Sequence, residues 1–164
     1  MAVRTIRTMG DSILEKKSRI VEEMTPKLQE LIVDMVDTMR EQKGVGLAAP
    51  QVGILKRIVV IDIGEGLQVF INPQIKTKVG EQTGDEGCLS LPGKNGTVTR
   101  PETITVTALD QDLEPFTIEA SGLMARAVCH ECDHLDGVLY TTLVEGELRD
   151  NDDYDDEEYE EEDE

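Results

Sequence analysis

Val128-Cys129-His130-Glu131-Cys132-Asp133-His134-Leu135-Asp136-Gly137 holds the chain's only two histidines. They stand four residues apart, with a glutamate directly after the first, in an H-E-x-x-H pattern. On a helix, positions i and i+4 share a face, so both imidazoles can bind one metal ion. Glu131 lies about 100° further round. That is too far round for an easy third ligand but within reach of a water on the metal. A divalent metal lowers the pKa of bound water, and a nearby carboxylate can take and return the proton. The pattern therefore suggests metal-assisted hydrolysis. It is also short, and helical histidine pairs occur at satisfied core or surface positions, so the rest of the chain must decide.

The helix carrying this stretch is expected from about Gly122 to Leu135. Leu123, Ala127, Val128 and Leu135 suit its buried side, and Gly137 suits the position just past its end. No third histidine exists to complete a metal site. Cys129 and Cys132 lie at about −100° and 200° from His130, off the histidine face. Cys88, in the separate segment Gly84-Asp85-Glu86-Gly87-Cys88-Leu89-Ser90-Leu91-Pro92-Gly93, is the better thiolate candidate. A buried structural cysteine is the plain alternative.

Upstream, Thr25 and Pro26 suit the N-cap and first turn of a helix. Leu28, Leu31, Ile32, Met35, Val36 and Met39 follow at helical spacing, which predicts one amphipathic helix ending near Gly44. Before it, Gly10-Asp11-Ser12 reads as a turn in a surface lead-in, with Asp11 or Ser12 able to cap a short helix. Gly44 to Gly53 is dense in small residues, which let backbone approach something closely. A phosphate loop is excluded there, because no Gly-Lys-Ser/Thr follows. Gln51 is the run's only polar side chain, and it could serve a substrate oxygen or its own loop's backbone. Strands are expected at Arg57–Ile63, Leu67–Pro73 and Ile75–Val79, and again around Thr97–Thr99, Ile104–Thr107 and Phe116–Ile118. The order is helix, strands, helix. The fold class is α+β, with mainly antiparallel sheets packed around the H-E-x-x-H helix and an N-terminal amphipathic helix.

A chain of 164 residues suits one domain, with an aliphatic core because only 3% of residues are aromatic. Three cysteines do not suggest a disulfide framework. No apolar run spans a bilayer, no signal-like apolar region opens the chain, and a cytoplasmic location is expected. The net charge of −19 is concentrated at one end: residues 150–164 carry twelve acids and no base, leaving 23 acids against 16 bases elsewhere. Residues 1–146 are expected to form the catalytic domain and 147–164 a disordered acidic tail. The tail lacks calcium-loop spacing. No basic stripe suggests direct nucleic-acid binding.

Three separated segments now agree. Gly44-Val45-Gly46-Leu47-Ala48-Ala49-Pro50-Gln51, Glu86-Gly87-Cys88-Leu89-Ser90 and His130-Glu131-Cys132-Asp133-His134-Leu135 resemble the three signature motifs of the peptide deformylase family, in the family's order. Gly10-Asp11, Asn72-Pro73, Val98-Thr99-Arg100 and Gly122 to Ala127 are similar too, so the likeness spans about residues 3–144. The resemblance implies removal of the formyl group from formyl-methionine on nascent peptides. It implies one iron(II) per chain, with nickel, cobalt or zinc able to substitute. It assigns Cys88, His130 and His134 as metal ligands and Glu131 as general base and acid. The backbone N–H of Leu89 and the amide of Gln51 would steady the oxyanion. Val45, Gly46, Glu86, Leu123, Ala127 and His130 would form the methionine pocket. The resemblance further suggests a monomer in transient association with the ribosome. Two departures stand out. Cys129 occupies a place where many members have Gln, and an acidic tail replaces the further helix of many bacterial members.

Two other readings compete. His130 to Tyr140 resembles a metzincin protease motif with Tyr140 in place of the third histidine. A closed structural zinc site could instead use Cys88, His130, His134 and Cys132 or Cys129.

Overall fold

The computed structural model describes residues 2–151. Most of the expected acidic tail, 152–164, lies outside the described residues.

Helix α1 (Pro26–Glu41) starts as expected, with Thr25 Oγ1 accepting from the Leu28 N–H at 3.2 Å. Its apolar stripe is buried at Leu31, Ile32, Met35 and Met39. A short strand β1 (Gly46–Ala48) follows, then a single 3-10 turn at Ala49–Val52. Strands β2 (Ile58–Ile61) and β3 (Gln68–Val79) pair antiparallel. The separate strand expected at Ile75–Val79 is the far half of β3. Its pairing slips between Ile71 and Gln74, and the chain bends there without breaking. Asn72 sits in the slip with a φ of 52°, a conformation that asparagine tolerates. Its amide holds the Val21 backbone in both directions at 2.9 Å.

Strands β4 (Gln82–Cys88) and β5 (Leu91–Arg100) form a hairpin where the sequence predicts only a Gly-rich connection and a short strand at Thr97–Thr99. Glycines in β4 and β5 weaken the alternation signal without preventing backbone pairing. Strands β6 (Thr103–Leu109) and β7 (Pro115–Ser121) complete a five-stranded antiparallel sheet in the order β1-β2-β3-β6-β7. Helix α2 (Gly122–Leu135) follows within its expected bounds. Strand β8 (Glu145–Asp150) adds to β5, giving a second sheet in the order β4-β5-β8. The expected tail boundary at 147 therefore falls inside a strand. Like charges there are offset by Lys94 paired with Asp150 and Arg149 paired with Asp85.

The five-stranded sheet is covered on both faces. Val59, Ile61, Phe70, Ile104 and Val106 pack with Ala125, Val128 and Leu135 of α2. Ile58, Val60 and Ile71 pack on the other face with Leu31, Ile32 and Met35 of α1. This explains why Ile58–Ile61 is apolar without alternation. The N-terminal lead-in is not a loose surface segment either. Asp11 caps a short 3-10 turn at Ser12–Glu15, and Leu14 is fully buried. Gly137 passes so close that an added Cβ would lie 2.5 Å from the Glu15 carbonyl oxygen.

Candidate metal centre and active site

Helix α2 is buried over almost its whole length, including the polar His130, Glu131 and His134. It brings both imidazoles to one side, as the four-residue spacing requires. Cys88 arrives from the end of β4, where the ladder with β5 is irregular between Glu86 and Cys88. Such irregularities re-aim a side chain. The potential ligand atoms of Cys88, His130 and His134 all lie within 4.8 Å of one another. Cys88 Sγ is 3.3 Å from His134 Nε2.

Behind His130 stands a buried ionic cluster. His130 Nδ1 is 2.8 Å from Glu86 Oε1. Arg100 donates to both Glu86 oxygens, at 2.8 and 2.9 Å, and to Asp133 Oδ2 at 2.6 Å. Arg126 donates to Glu86 Oε2 at 2.7 Å and to the Val98 carbonyl at 3.1 Å. Burial alone raises the Glu86 carboxyl, but hydrogen bonds from Arg100 and His130 outweigh it and hold the group at about 2. An anionic Glu86 fixes the imidazole through Nδ1 and leaves Nε2 facing the thiol side. Glu86 was expected in the methionine pocket. It does line the cavity, but its carboxylate is engaged by Arg100, Arg126 and His130.

Sequence reasoning assigned no role to Arg100, Arg126 or Asp133. The signal available was Arg126 alone in the apolar run from Leu123 to Val128, since a buried arginine needs acidic partners.

Glu131 is 5% exposed, and its Oε1 has no hydrogen-bond partner among the described residues. Burial drives its carboxyl up to about 7, against the opposing charge of His130. Gly46 makes room for it: a Cβ there would lie 2.6 Å from Glu131 Oε2. Gln51 fastens its own loop and turns its amide nitrogen toward the cluster. Its Oε1 accepts from the Ala48 N–H at 2.9 Å, fastening its own loop. Its Nε2 donates to Ser90 Oγ at 3.1 Å and points to Cys88 Sγ at 3.6 Å.

A cavity of about 900 Å³ opens onto this cluster. Val45, Gly46, Gln51, Glu86, Cys88, Leu89, Leu123, Ala127, His130 and Glu131 line it, with His134 behind. Val45 and Leu123 present apolar side chains that are 45% and 52% exposed.

The donor set fits a soft-to-borderline divalent cation: one thiol and two imidazoles. The electrostatics agree. Burial disfavours a charged His130, yet its hydrogen bond to Cys88 and the Glu131 and Glu86 carboxylates hold its proton up to about 10. Burial, then the His130 and Arg100 charges, push His134 down to about 3. The Glu86 and Glu131 carboxylates thus favour positive charge at His130, which a cation at the three donor atoms would supply with both imidazoles neutral. Cys129 and Cys132 belong instead to the apolar core against the five-stranded sheet, so they do not close the site. The Tyr140 ring lies 5.7 Å from His130 at a tilt of 39°, outside the ligand group.

An H-E-x-x-H helix, a thiol converging on it from an antiparallel hairpin and a buried carboxylate beside the cavity point to a metal-dependent hydrolase. The comparisons are specific. The polypeptide deformylase family model matches residues 3–149. A peptide deformylase of Lachnoclostridium phytofermentans is 60% identical over 163 residues, 98% of this chain and 100% of its own. One from Agathobacter rectalis is 60% identical over 150 residues, 92% of this chain and 95% of its own. Among solved structures, a Legionella pneumophila peptide deformylase superposes with a TM-score of 0.85 at 44% identity, covering 87% of this chain and 86% of that one. One from Synechococcus elongatus, in complex with actinonin, gives 0.84 at 41%, covering 86% and 78%.

The chain belongs to the polypeptide deformylase family. It is a metal-dependent hydrolase that removes the formyl group from formyl-methionyl peptides. The protease and structural-zinc readings find no support. Among the described residues no helix is long and apolar enough to cross a membrane.

Proposed function

We propose that Cys88, His130 and His134 hold one iron(II) per chain, replaceable by nickel, cobalt or zinc, and that Glu131 moves the proton in deformylation. The ion, when bound, supplies the Lewis acidity that makes water nucleophilic near neutral pH. Glu131 takes the proton of the attacking water and returns it to the amine as the C–N bond breaks, releasing formate. The Gln51 amide and the Leu89 N–H donate to the oxygen that gains charge at the formyl carbon. Val45, Gly46, Leu123 and Ala127 enclose the methionine, with Glu86 steadying His130 from behind. The observation that carries this reading is the unpartnered, buried Oε1 of Glu131 beside three converged ligand atoms.

We also propose that the enzyme works as a monomer in the cytoplasm and meets its substrates during transient visits to the ribosome. All three ligands and the base come from one chain. All three cysteines are free, as suits a reducing compartment.

The test is formate release from a formyl-Met peptide by anaerobic, iron- or nickel-loaded protein, beside Glu131→Ala. Formate from the first and none from the second, at equal metal content, is the expected result. Loss of metal in Glu131→Ala would instead make Glu131 structural.

A further inference from the structure

Most of the cavity wall comes from α2, the β4–β5 hairpin and the Gly44–Gln51 segment. A further part comes from the N-terminal segment: Val3, Arg4, Thr5, Ile6 and Thr8 all line it. This segment has no regular secondary structure, yet it is tied down at both ends. At its start, the Ala2 N–H donates to Asp34 Oδ1 at 2.8 Å and the Arg4 N–H donates to Thr38 Oγ1 at 2.8 Å. Arg4 Nε adds a bond to Asp34 Oδ2 at 2.9 Å. At its end, the Arg7 N–H donates to the Gln51 carbonyl at 2.7 Å and the Met9 N–H to the Ser90 carbonyl at 2.8 Å. Asp34 and Thr38 are buried on α1, at 3% and 0% exposure, and do not line the cavity. Two buried polar residues are thus spent on holding an otherwise exposed strap in one place.

We propose that this strap forms a subsite wall for the peptide residues that follow the formyl-methionine, and that Asp34 and Thr38 are its positioning residues. The inference rests on the reading that the cavity takes the formyl-methionyl chain. Val3 is 52% exposed, and Ile6 is half-buried beside it on the strap. With Val45 on the neighbouring wall 45% exposed, the subsite suits apolar downstream side chains. The Arg4 and Arg7 guanidiniums are already engaged by Asp34 and Asp11, so the strap's cations are not aimed at an acidic peptide.

The two ends of the strap make the proposal separable from catalysis. Releasing residues 2–4 leaves the bonds of Arg7 and Met9 to the Gln51 and Ser90 carbonyls in place. Substrate contacts beyond methionine should weaken while the chemistry stays intact. Thr38→Val keeps the side-chain shape and removes the acceptor for the Arg4 N–H, whereas Thr38→Ser keeps the acceptor. Two substrates are compared: formyl-Met amide, and formyl-Met followed by three leucines.

For Thr38→Val and Asp34→Asn, KM for the longer substrate should rise by about three- to tenfold with kcat unchanged, the scale of one lost buried hydrogen bond. Both constants for the amide should stay within about twofold of the unaltered protein, and Thr38→Ser should restore the longer substrate. Binding of the longer substrate, measured calorimetrically in a Glu131→Ala background, should weaken by the same factor. That arm reports on the subsite even if no formate is released, so failure of the reaction and failure of the subsite are distinguishable. Equal loss on both substrates, a fall in kcat, or unchanged KM and binding for the longer substrate would each overturn the proposal.

Discussion

Glu131 is the proposed base, and its environment sets when it can act. Burial raises its carboxyl to about 7. As a base it must be ionised, so kcat/KM should rise with pH through its ionisation. A bound cation stabilises the carboxylate, so the midpoint of that rise should lie at or below about 7. A pH–rate profile on the metal-loaded enzyme checks this, and a rise centred well above 7 would point to another group. Gly46 is the second decisive position. An added Cβ would press on Glu131 Oε2 at 2.6 Å. Gly46→Ala should therefore cost about tenfold or more in kcat, since small misplacements of a catalytic group are expensive. Metal content, measured by elemental analysis, should not change. Glu86 shows what pairing does to a buried acid. Its ordinary value is 4.5 and the fold holds it at about 2. The stability this contributes is complete above 4.5 and is lost as pH falls toward 2. It amounts to something on the order of 3 kcal/mol. Acid denaturation of Glu86→Gln should be correspondingly flatter than that of the unaltered chain in the same window.

At the scale of elements, the proposed metal site is a joint between two bodies. The histidines ride on α2, and Cys88 rides on the hairpin of β4 and β5. Arg126 crosses this joint from α2, reaching Glu86 on β4 and the Val98 carbonyl on β5. Removing one partner of a buried charge cluster leaves the others unpaired. Arg126→Met should thus lower unfolding stability by about 3 kcal/mol in urea titrations. It should also weaken metal binding, because the thiol and the imidazoles lose their common frame. Undiminished metal affinity in that variant would show that the hairpin holds Cys88 without Arg126.

For the whole molecule, the boundary of the folded part falls later than charge alone suggests. Strand β8 closes the second sheet against β5, and Arg149 and Lys94 supply the counter-charges. Deleting 152–164 removes eleven acids and takes the net charge from −19 to −8. Turnover of a short formyl peptide should stay within about twofold, because screening confines charge effects to about 8–10 Å. Deleting from 145 onward should lower the melting temperature by several degrees, since it strips a strand from a three-stranded sheet.

Local chemistry in the sequence determined much of this protein. The spacing of His130 and His134 dictated one helical face. Thr25-Pro26 and the Leu28–Met39 stripe dictated α1. The apolar run from Ile58 to Ile61 dictated a buried strand. Each is a short-range pattern, and short-range patterns survive without knowledge of the fold. The three separated motifs that resemble the deformylases added the proposed ligand set and base. The tertiary structure decided what depends on distant partners. It put Arg100, Arg126 and Asp133 around Glu86, because a buried charge shows its role only when its counter-charge is known. It extended β4 and β5 through glycines, because a ladder is stabilised by its neighbouring strands rather than by local propensity. It also pinned residues 2–9 along the cavity through Asp34, Thr38, Gln51 and Ser90. Those bonds join backbone amides to groups dozens of residues away, and backbone amides carry no sequence signature.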